Sequence, residues 1–359
     1  MRQACLFAAL SAFGGLCQAQ SNTSIYGIAD LGFRSSSGLT ANNAPAPSGQ
    51  LSAVSSGVNR TSRWGFRGEE DLGGGWQTEF RLEGGLNLDT GATAKSDKLF
   101  DRQAWVGVKT PYGAVYLGRQ ANLLSDALSP VDPLQLRYAS FNPNINVTGL
   151  SNTAFGQHSF GQQFGTSGYA DNFYRLDNTV KYVAMVGPVV ARAAYSFGET
   201  SNGLSALSTE GAGLTYKQGP LVLSGATMRF HNRDNLSLDA STVGAAYQLG
   251  DWIFKGNVGY NHADVAANKE VRQRIAAAGV GRQLMPDLLL TTAYYHVRRA
   301  ATGFGDDGFD RFFTFLEKSL SPRTTAYLEF DNTVWHGDAS PQPNAGRGRA
   351  LTLGLMQKF

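Results

Sequence analysis

Ala350-Leu351-Thr352-Leu353-Gly354-Leu355-Met356-Gln357-Lys358-Phe359 is the stretch that decides the fold. Leu351, Leu353 and Leu355 alternate with Thr352, Gly354 and Met356, the period of two that gives an extended strand two unlike faces. Its last residue is an aromatic ring. Toward the N-terminus similar segments recur, each about as long as a tilted membrane-crossing strand and each bounded by turn residues or polar stretches. Trp76, Thr78, Phe80 and Leu82 share one face against Gln77, Glu79, Arg81 and Glu83. Leu176, Val180 and Tyr182 stand against Arg175, Asp177, Thr179 and Lys181, and Trp252, Phe254, Val258 and Tyr260 against Lys255, Asn257 and Asn261. Segments 221–230, 275–281 and 312–316 alternate poorly, and their faces stay unassigned.

Periodicity alone fits a soluble sheet as well as a wall between lipid and water. The connections separate the two. Short turns fall at residues 71–74, 111–113, 187–188, 219–220, 250–251, 285–287 and 321–322. Between them lie longer polar stretches at 35–56, 89–97, 121–172, 199–209, 232–239, 262–270, 300–308 and 336–347. Seven short turns and eight long loops join about sixteen strands, with both chain ends on the short-turn side. The expectation is an all-β, 16-stranded antiparallel transmembrane β-barrel with short periplasmic turns and long external loops.

Residues 1–19 read as a cleaved signal peptide: Arg2, a short apolar run from Leu6 to Leu16, then a small residue at Ala19. Residues 20–359 form the single barrel domain. Cys5 and Cys17 leave with the signal, so no disulfide and no thiolate metal site is expected. Arg2 leaves too, which lowers the net charge from +3 to +2, and no basic run suggests nucleic acid. Mean hydropathy is −0.22 and, past the signal, no apolar run reaches the roughly 18 residues of a spanning helix.

Catalytic patterns are missing. His158, His231, His262, His296 and His336 show no paired metal spacing, and no G-x-S-x-G elbow occurs. Gly303-Phe304-Gly305-Asp306-Asp307-Gly308 fits G-x-G-x-x-G, but an aromatic strand-like run follows it rather than a helix, and two aspartates would repel phosphate. No enzymatic activity, cofactor or metal is expected.

Several segments in order carry a family resemblance: Ser24-Ile25-Tyr26-Gly27-Ile28-Ala29-Asp30, Ser62-Arg63-Trp64-Gly65-Phe66-Arg67-Gly68-Glu69-Glu70-Asp71-Leu72-Gly73-Gly74-Gly75, Arg102-Gln103-Ala104-Trp105-Val106-Gly107, Gly118-Arg119-Gln120 and Arg175-Leu176-Asp177-Asn178. Together they resemble the general porins of Gram-negative bacteria, especially the betaproteobacterial branch. The departures are small, among them proline at Ser321-Pro322-Arg323-Thr324, where a tight turn welcomes it.

The resemblance implies a homotrimer in the outer membrane among lipid and lipopolysaccharide. It also implies that Phe359 is the signal read by the outer-membrane assembly machinery. Trp64, Trp76 and Trp105 would suit a subunit contact, and interfacial girdles would use them equally well. A barrel this wide needs an internal obstruction to sieve solutes. By resemblance the third loop, 121–172, folds inward as a constriction loop, with Asp126 and Asp132 facing Arg63, Arg119 and Arg175. Arg102 is a further candidate for the basic wall, although its strand's alternation would turn Val106 and Val108 inward as well. Glu83, Asp177 and Lys181 line the lumen.

Such a transverse field implies passive diffusion of small hydrophilic solutes and ions, with a preference for anions. The alternatives are a substrate-selective channel lined by an aromatic and basic ladder, for which the rings between Tyr138 and Tyr174 leave room, and a surface adhesin acting through its external loops.

Overall fold

The computed structural model describes residues 21–40, 45–137, 164, 166, 175–201, 203, 205–303, 305–337 and 346–359. The expected signal peptide, most of the third loop beyond residue 137 and the tip of the last loop lie outside the described residues. The strands are β1 (Ser21–Leu39), β2 (Pro45–Ser56), β3 (Arg63–Gly73), β4 (Trp76–Asn87), β5 (Ala92–Thr93), β6 (Gln103–Thr110), β7 (Gly113–Ala121), β8 (Arg175–Val186) and β9 (Val189–Ser196). They continue with β10 (Thr209–Gln218), β11 (Leu221–His231), β12 (Ser237–Leu249), β13 (Trp252–Ala266), β14 (Lys269–Met285), β15 (Leu288–Ala301), β16 (Asp307–Ser319), β17 (Thr324–Gly337) and β18 (Arg347–Lys358). A short helix, α1 (Leu123–Leu128), opens the third loop.

Every pairing is antiparallel and the sheet closes on itself, β1 against β18 from Ile28↔Lys358 to Ser37↔Arg349. Phe359 extends the seam by exchanging both backbone bonds with Gly27 at 3.1 Å. β2 and β3 lie end to end along the other edge of β1, while the two-residue β5 pairs only with β4. Counting β2 and β3 as one, the wall has sixteen strands. Closure removes the unpaired edges that an open sheet would expose. At one rim, Gly187, Gly219 and Gly250 turn the chain at φ 57°, 56° and 55°, a region in which a Cβ is strained.

Alternation sorts the two faces as expected for β18 and β13. Leu351, Leu353 and Leu355 lie outward and exposed, with Thr352 buried inside. Trp252, Phe254, Val258 and Tyr260 point out, and Asn257 and Asn261 are buried within. Four expectations are corrected. Leu176 faces inward, because the register slips between Gly118 and Gln120 and Asn178 takes φ 54°, which reverses parity. Trp105 shares the inner face with Arg81 and does not join Trp64 and Trp76 outside. Arg102 precedes β6, so its burial leaves Val106 free to point outward at 53% exposure. Residues 35–56, read as a loop, are largely the β1–β2 hairpin, in which Ser37↔Gln50 and Leu31↔Ser56 pair. Ladder bonds there need no apolar side chains.

Two apolar clusters lie inside the cylinder. One gathers Leu123, Leu124, Ala127, Leu128 and Val131 with Phe164, Leu176, Met228, Phe230, Leu238 and Val271. The other gathers Leu134 with Ile275, Tyr295, Phe313, Phe315, Tyr327 and neighbours. Near the seam, Arg34 bonds Glu329 at 3.0 Å, Asp331 at 2.6 Å and Thr352 at 3.0 Å, while Arg311 meets Asp331 at 3.0 Å. Two cations and two carboxylates thus cancel inside the wall, as buried charge requires.

Candidate pore constriction

Asn122 caps α1, its side-chain oxygen accepting from the Ser125 amide at 2.8 Å. The helix is only six residues long, too short to persist without packing, so its leucines fix it against the inner faces of β10, β11 and β12. Past it the chain crosses the interior. Glycines admit it: a Cβ on Gly244 would come 2.7 Å from Val131, and one on Gly279 would come 2.7 Å from Pro133.

Asp132 secures the crossing. Its carboxylate accepts from the Leu134 amide at 3.1 Å, the Leu136 amide at 2.9 Å and the Tyr295 hydroxyl at 2.9 Å, and the residue is 0% exposed. Gln135 and Leu136 then take φ 53° and 59°, and Leu134 enters the second cluster. Arg137, buried, reaches Glu317 and lies 4.8 Å over the Phe315 ring. Burial pulls its pKa down, and the Glu317 carboxylate opposes that shift.

Between β2 and β3, residues 57–62 form a spur that turns inward, burying Val58 and Asn59. The Arg60 amide donates to Asp30, and the Ser62 hydroxyl donates to the Asp30 carbonyl at 3.0 Å. The Arg60 guanidinium then reaches the loop, meeting the Gln135 carbonyl at 2.8 Å and its side-chain oxygen at 3.0 Å. Burial and the nearby Arg137 lower the Arg60 pKa to about 10, which leaves it charged at neutral pH. Wall and loop are therefore tied directly.

The sequence-derived candidates fall into three groups. Glu83 is one centre, accepting from Arg102 at 2.7 Å and Tyr26 at 2.8 Å with Arg63 at 3.7 Å. Asp177 is the second, meeting Lys98 at 2.6 Å and Arg119 at 2.5 Å, while Arg119 also donates to the Asp101 carbonyl at 2.6 Å. Lys181 is the third, donating to Asp126 at 2.7 Å and to the Ala121 carbonyl at 2.7 Å. Arg175 sits buried at the start of β8, opposite Ala121. Asp126 thus faces a lysine of the neighbouring wall, and Asp132 faces Tyr295.

Other inward cations escaped selection. Arg81 lies 5.8 Å over the Tyr26 ring and 5.8 Å over Trp105, and Trp105 meets Tyr116 edge-on at 5.0 Å. Arg192 donates to the Thr215 hydroxyl at 3.0 Å, and Lys255 lines a small recess beside Pro133 and Gln135. Arg81 and Lys255 were legible as polar-face residues. Arg60 was not, since nothing in residues 57–62 announces an inward spur.

A model of the Gram-negative porin family matches residues 6–334 of this chain. An outer membrane porin protein of Bordetella pertussis is 30% identical over 234 residues, which is 62% of this chain and 57% of that protein. Outer membrane porin protein 32 of Delftia acidovorans is 30% identical over 257 residues, 70% of this chain and 67% of that protein. The chain therefore spans somewhat over half to two thirds of these relatives. Among solved structures, an anion-selective porin from Comamonas acidovorans covers 95% of this chain and 100% of its own with TM-score 0.76 at 21% identity. A trimer form of OmpT from Vibrio cholerae covers 94% and 99% with TM-score 0.68 at 14% identity. At those identities the structures speak for shared fold alone. Matched by the family model over nearly all of its barrel strands, the chain belongs to the Gram-negative porin family.

Proposed function

We propose that this barrel is a general-diffusion channel of the outer membrane that passes small hydrophilic solutes and prefers anions. The observation that carries the preference is an imbalance in who neutralises whom. Inward carboxylates have polar partners: Glu83, Asp177, Asp126, Glu317, Glu329 and Asp331 each meet a cation, while Asp132 accepts from a hydroxyl and two amides and Asp30 from the Tyr327 hydroxyl and the Arg60 amide. Among the described residues, Arg60, Arg81, Arg192 and Lys255 form no ion pair; the guanidiniums of Arg60, Arg81 and Arg192 rest on neutral groups. A wet passage edged by cations without carboxylate partners concentrates anions and repels cations. Arg63 is held by Glu83 at 3.7 Å, and Arg102, Arg119 and Arg175 are more than nine-tenths buried and hold the wall. The anion-selective porin from Comamonas acidovorans supports the same direction.

The working unit in this reading is a homotrimer, in line with the trimer form of the Vibrio cholerae relative. Residues 1–19 export the chain, and Phe359 serves the assembly machinery. The test is the zero-current potential of single channels across a salt gradient. Replacing Arg60, Arg81 and Lys255 together by glutamine should move it toward cations, and an unmoved potential rejects the assignment.

One arrangement favours a substrate-selective channel as the second reading. Tyr26, Arg81, Trp105 and Tyr116 form an aromatic and basic ladder on the inner wall. An aromatic carboxylate such as benzoate would stack there and block ion current at low concentration. Current insensitive to benzoate leaves general diffusion alone.

A further inference from the structure

Between the Arg60 tie and the short turn that joins β3 to β4, the inner wall carries its charge in rows. The two strands pair Arg67 with Arg81 and, one row nearer the turn, Glu69 with Glu79. Like charges directly opposite one another destabilise a sheet, and a diagonal ion pair, Arg67 to Glu79 or Arg81 to Glu69, would relieve both rows. Among the described residues neither pair forms. The guanidiniums turn to rings instead. Arg67 donates to the Ser24 hydroxyl at 3.1 Å and lies 5.3 Å over Tyr26. Arg81 lies 5.8 Å over Tyr26 and 5.8 Å over Trp105, and its Nε is buried without a hydrogen-bond partner. Glu79 turns the other way, to Lys109 at 2.9 Å and to the Tyr116 hydroxyl. Glu69 is an exception to the neutralised carboxylates nearer the loop: it stands exposed and, among the described residues, forms no ion pair.

This part of the wall therefore has separated poles. Guanidinium donors flank the Tyr26 ring, and carboxylates lie two residues further along the strands, about 7 Å away. Trp105 and Tyr116, edge-on at 5.0 Å, close the β6–β7 side. A simple anion uses the first row and is repelled by the second, and a simple cation meets the reverse. A molecule with both charges on one carbon satisfies both rows, because arginine and glutamate side chains are long enough to converge on it. A flat apolar group on the same carbon covers the two rings.

We propose that this wall is a subsite for aromatic amino acids in their zwitterionic form. The carboxylate bridges the Arg67 and Arg81 guanidiniums, the ammonium meets Glu69, and the ring lies against Trp105 and Tyr116. Arg81 thereby obtains an acceptor that the wall does not give it. The assignment rests on the selective-channel reading above and narrows its ligand from an aromatic carboxylate to one that also bears an ammonium group.

Block of single-channel potassium chloride current tests it, with phenylalanine, 3-phenylpropionate, phenethylamine and glycine as probes at neutral pH. Phenylalanine should block at the lowest concentration. The others lack the ammonium, the carboxylate and the ring in turn, and each should need about threefold more or higher, the scale of one exposed contact. Glu69→Gln should weaken block by phenylalanine to the level of 3-phenylpropionate without weakening block by 3-phenylpropionate. Arg67→Gln with Arg81→Gln should weaken both about tenfold or more, as charge-assisted hydrogen bonds are lost. A variant that does not fold shows no current at all, which differs from weaker block of a normal current. Equal block by phenylalanine and 3-phenylpropionate, or a Glu69→Gln channel that still prefers phenylalanine, overturns the zwitterion site. So does glycine as effective as phenylalanine. A parent that passes no current defeats the channel reading, whereas one that conducts and ignores every probe defeats this subsite alone.

Discussion

Replacing Asp132 by alanine should open the passage without unfolding the barrel. The carboxylate serves three donors, the buried Leu134 amide and Tyr295 hydroxyl and the partly buried Leu136 amide. A buried donor stripped of its acceptor costs about 1–3 kcal/mol, so with two such donors the docked tip loses roughly 2–6 kcal/mol before it relaxes. Each 1.4 kcal/mol is about a tenfold shift in equilibrium, enough to make an undocked tip dominant. The α1 leucines still pack on β11, so the release stops near Val131. Single-channel conductance should rise, and the segment around Leu134 should become sensitive to protease added to detergent micelles. Tyr295→Phe removes one of the three bonds and should give a smaller change in the same direction. The barrel's resistance to SDS before heating should persist in both variants. If Asp132→Ala conducts like the parent and its loop stays protected, the carboxylate is not what holds the crossing.

Three further outcomes follow from the geometry. Gly279→Val should displace the loop at Pro133 and strain the wall at β15, since even a Cβ would lie 2.7 Å from Pro133 and 2.6 Å from the Thr292 carbonyl; conductance should change and the temperature for heat modification should fall. Arg34→Met leaves Glu329 and Asp331 buried beside each other with Arg311 as the remaining cation; a loss of about 3–5 kcal/mol should show as a lower temperature for heat modification on SDS gels. Gly27→Leu places side-chain carbon where the Phe359 ring lies, so the yield of folded barrel in vesicles should fall, while the same change at the exposed turn residue Tyr112 should not lower it.

The barrel was legible because most of its wall separates lipid from polar interior, and β18 and β13 carry that separation in every second residue. It failed where the interior itself is dry. Ala226, Met228 and Phe230 point inward against α1 while Leu223 points out, so β11 is apolar on both faces and its alternation vanishes. Phe313 and Phe315 obscure β16 for the same reason. Local backbone irregularity hid the rest: a left-handed Asn178 reversed Leu176, and the spur at residues 57–62 carried Arg60 inward from a segment without pattern. Charge type was readable and charge pairing was not. Asp126 and Asp132 were recognisable as acidic loop residues, but their partners Lys181 and Tyr295 come from strands far along the chain.

The two inner clusters give this protein something a simple tube lacks. On the side of β11 to β17 the described part of the third loop is packed like the centre of a water-soluble domain, which narrows the space between it and the strands it faces. A solute crossing it slides past a polar shore on one side and a plug on the other. That plug is glued by contacts that never touch the bilayer. Its seating should therefore survive transfer from membrane to detergent, and the bore should be set by the polypeptide rather than by the thickness or fluidity of its host membrane.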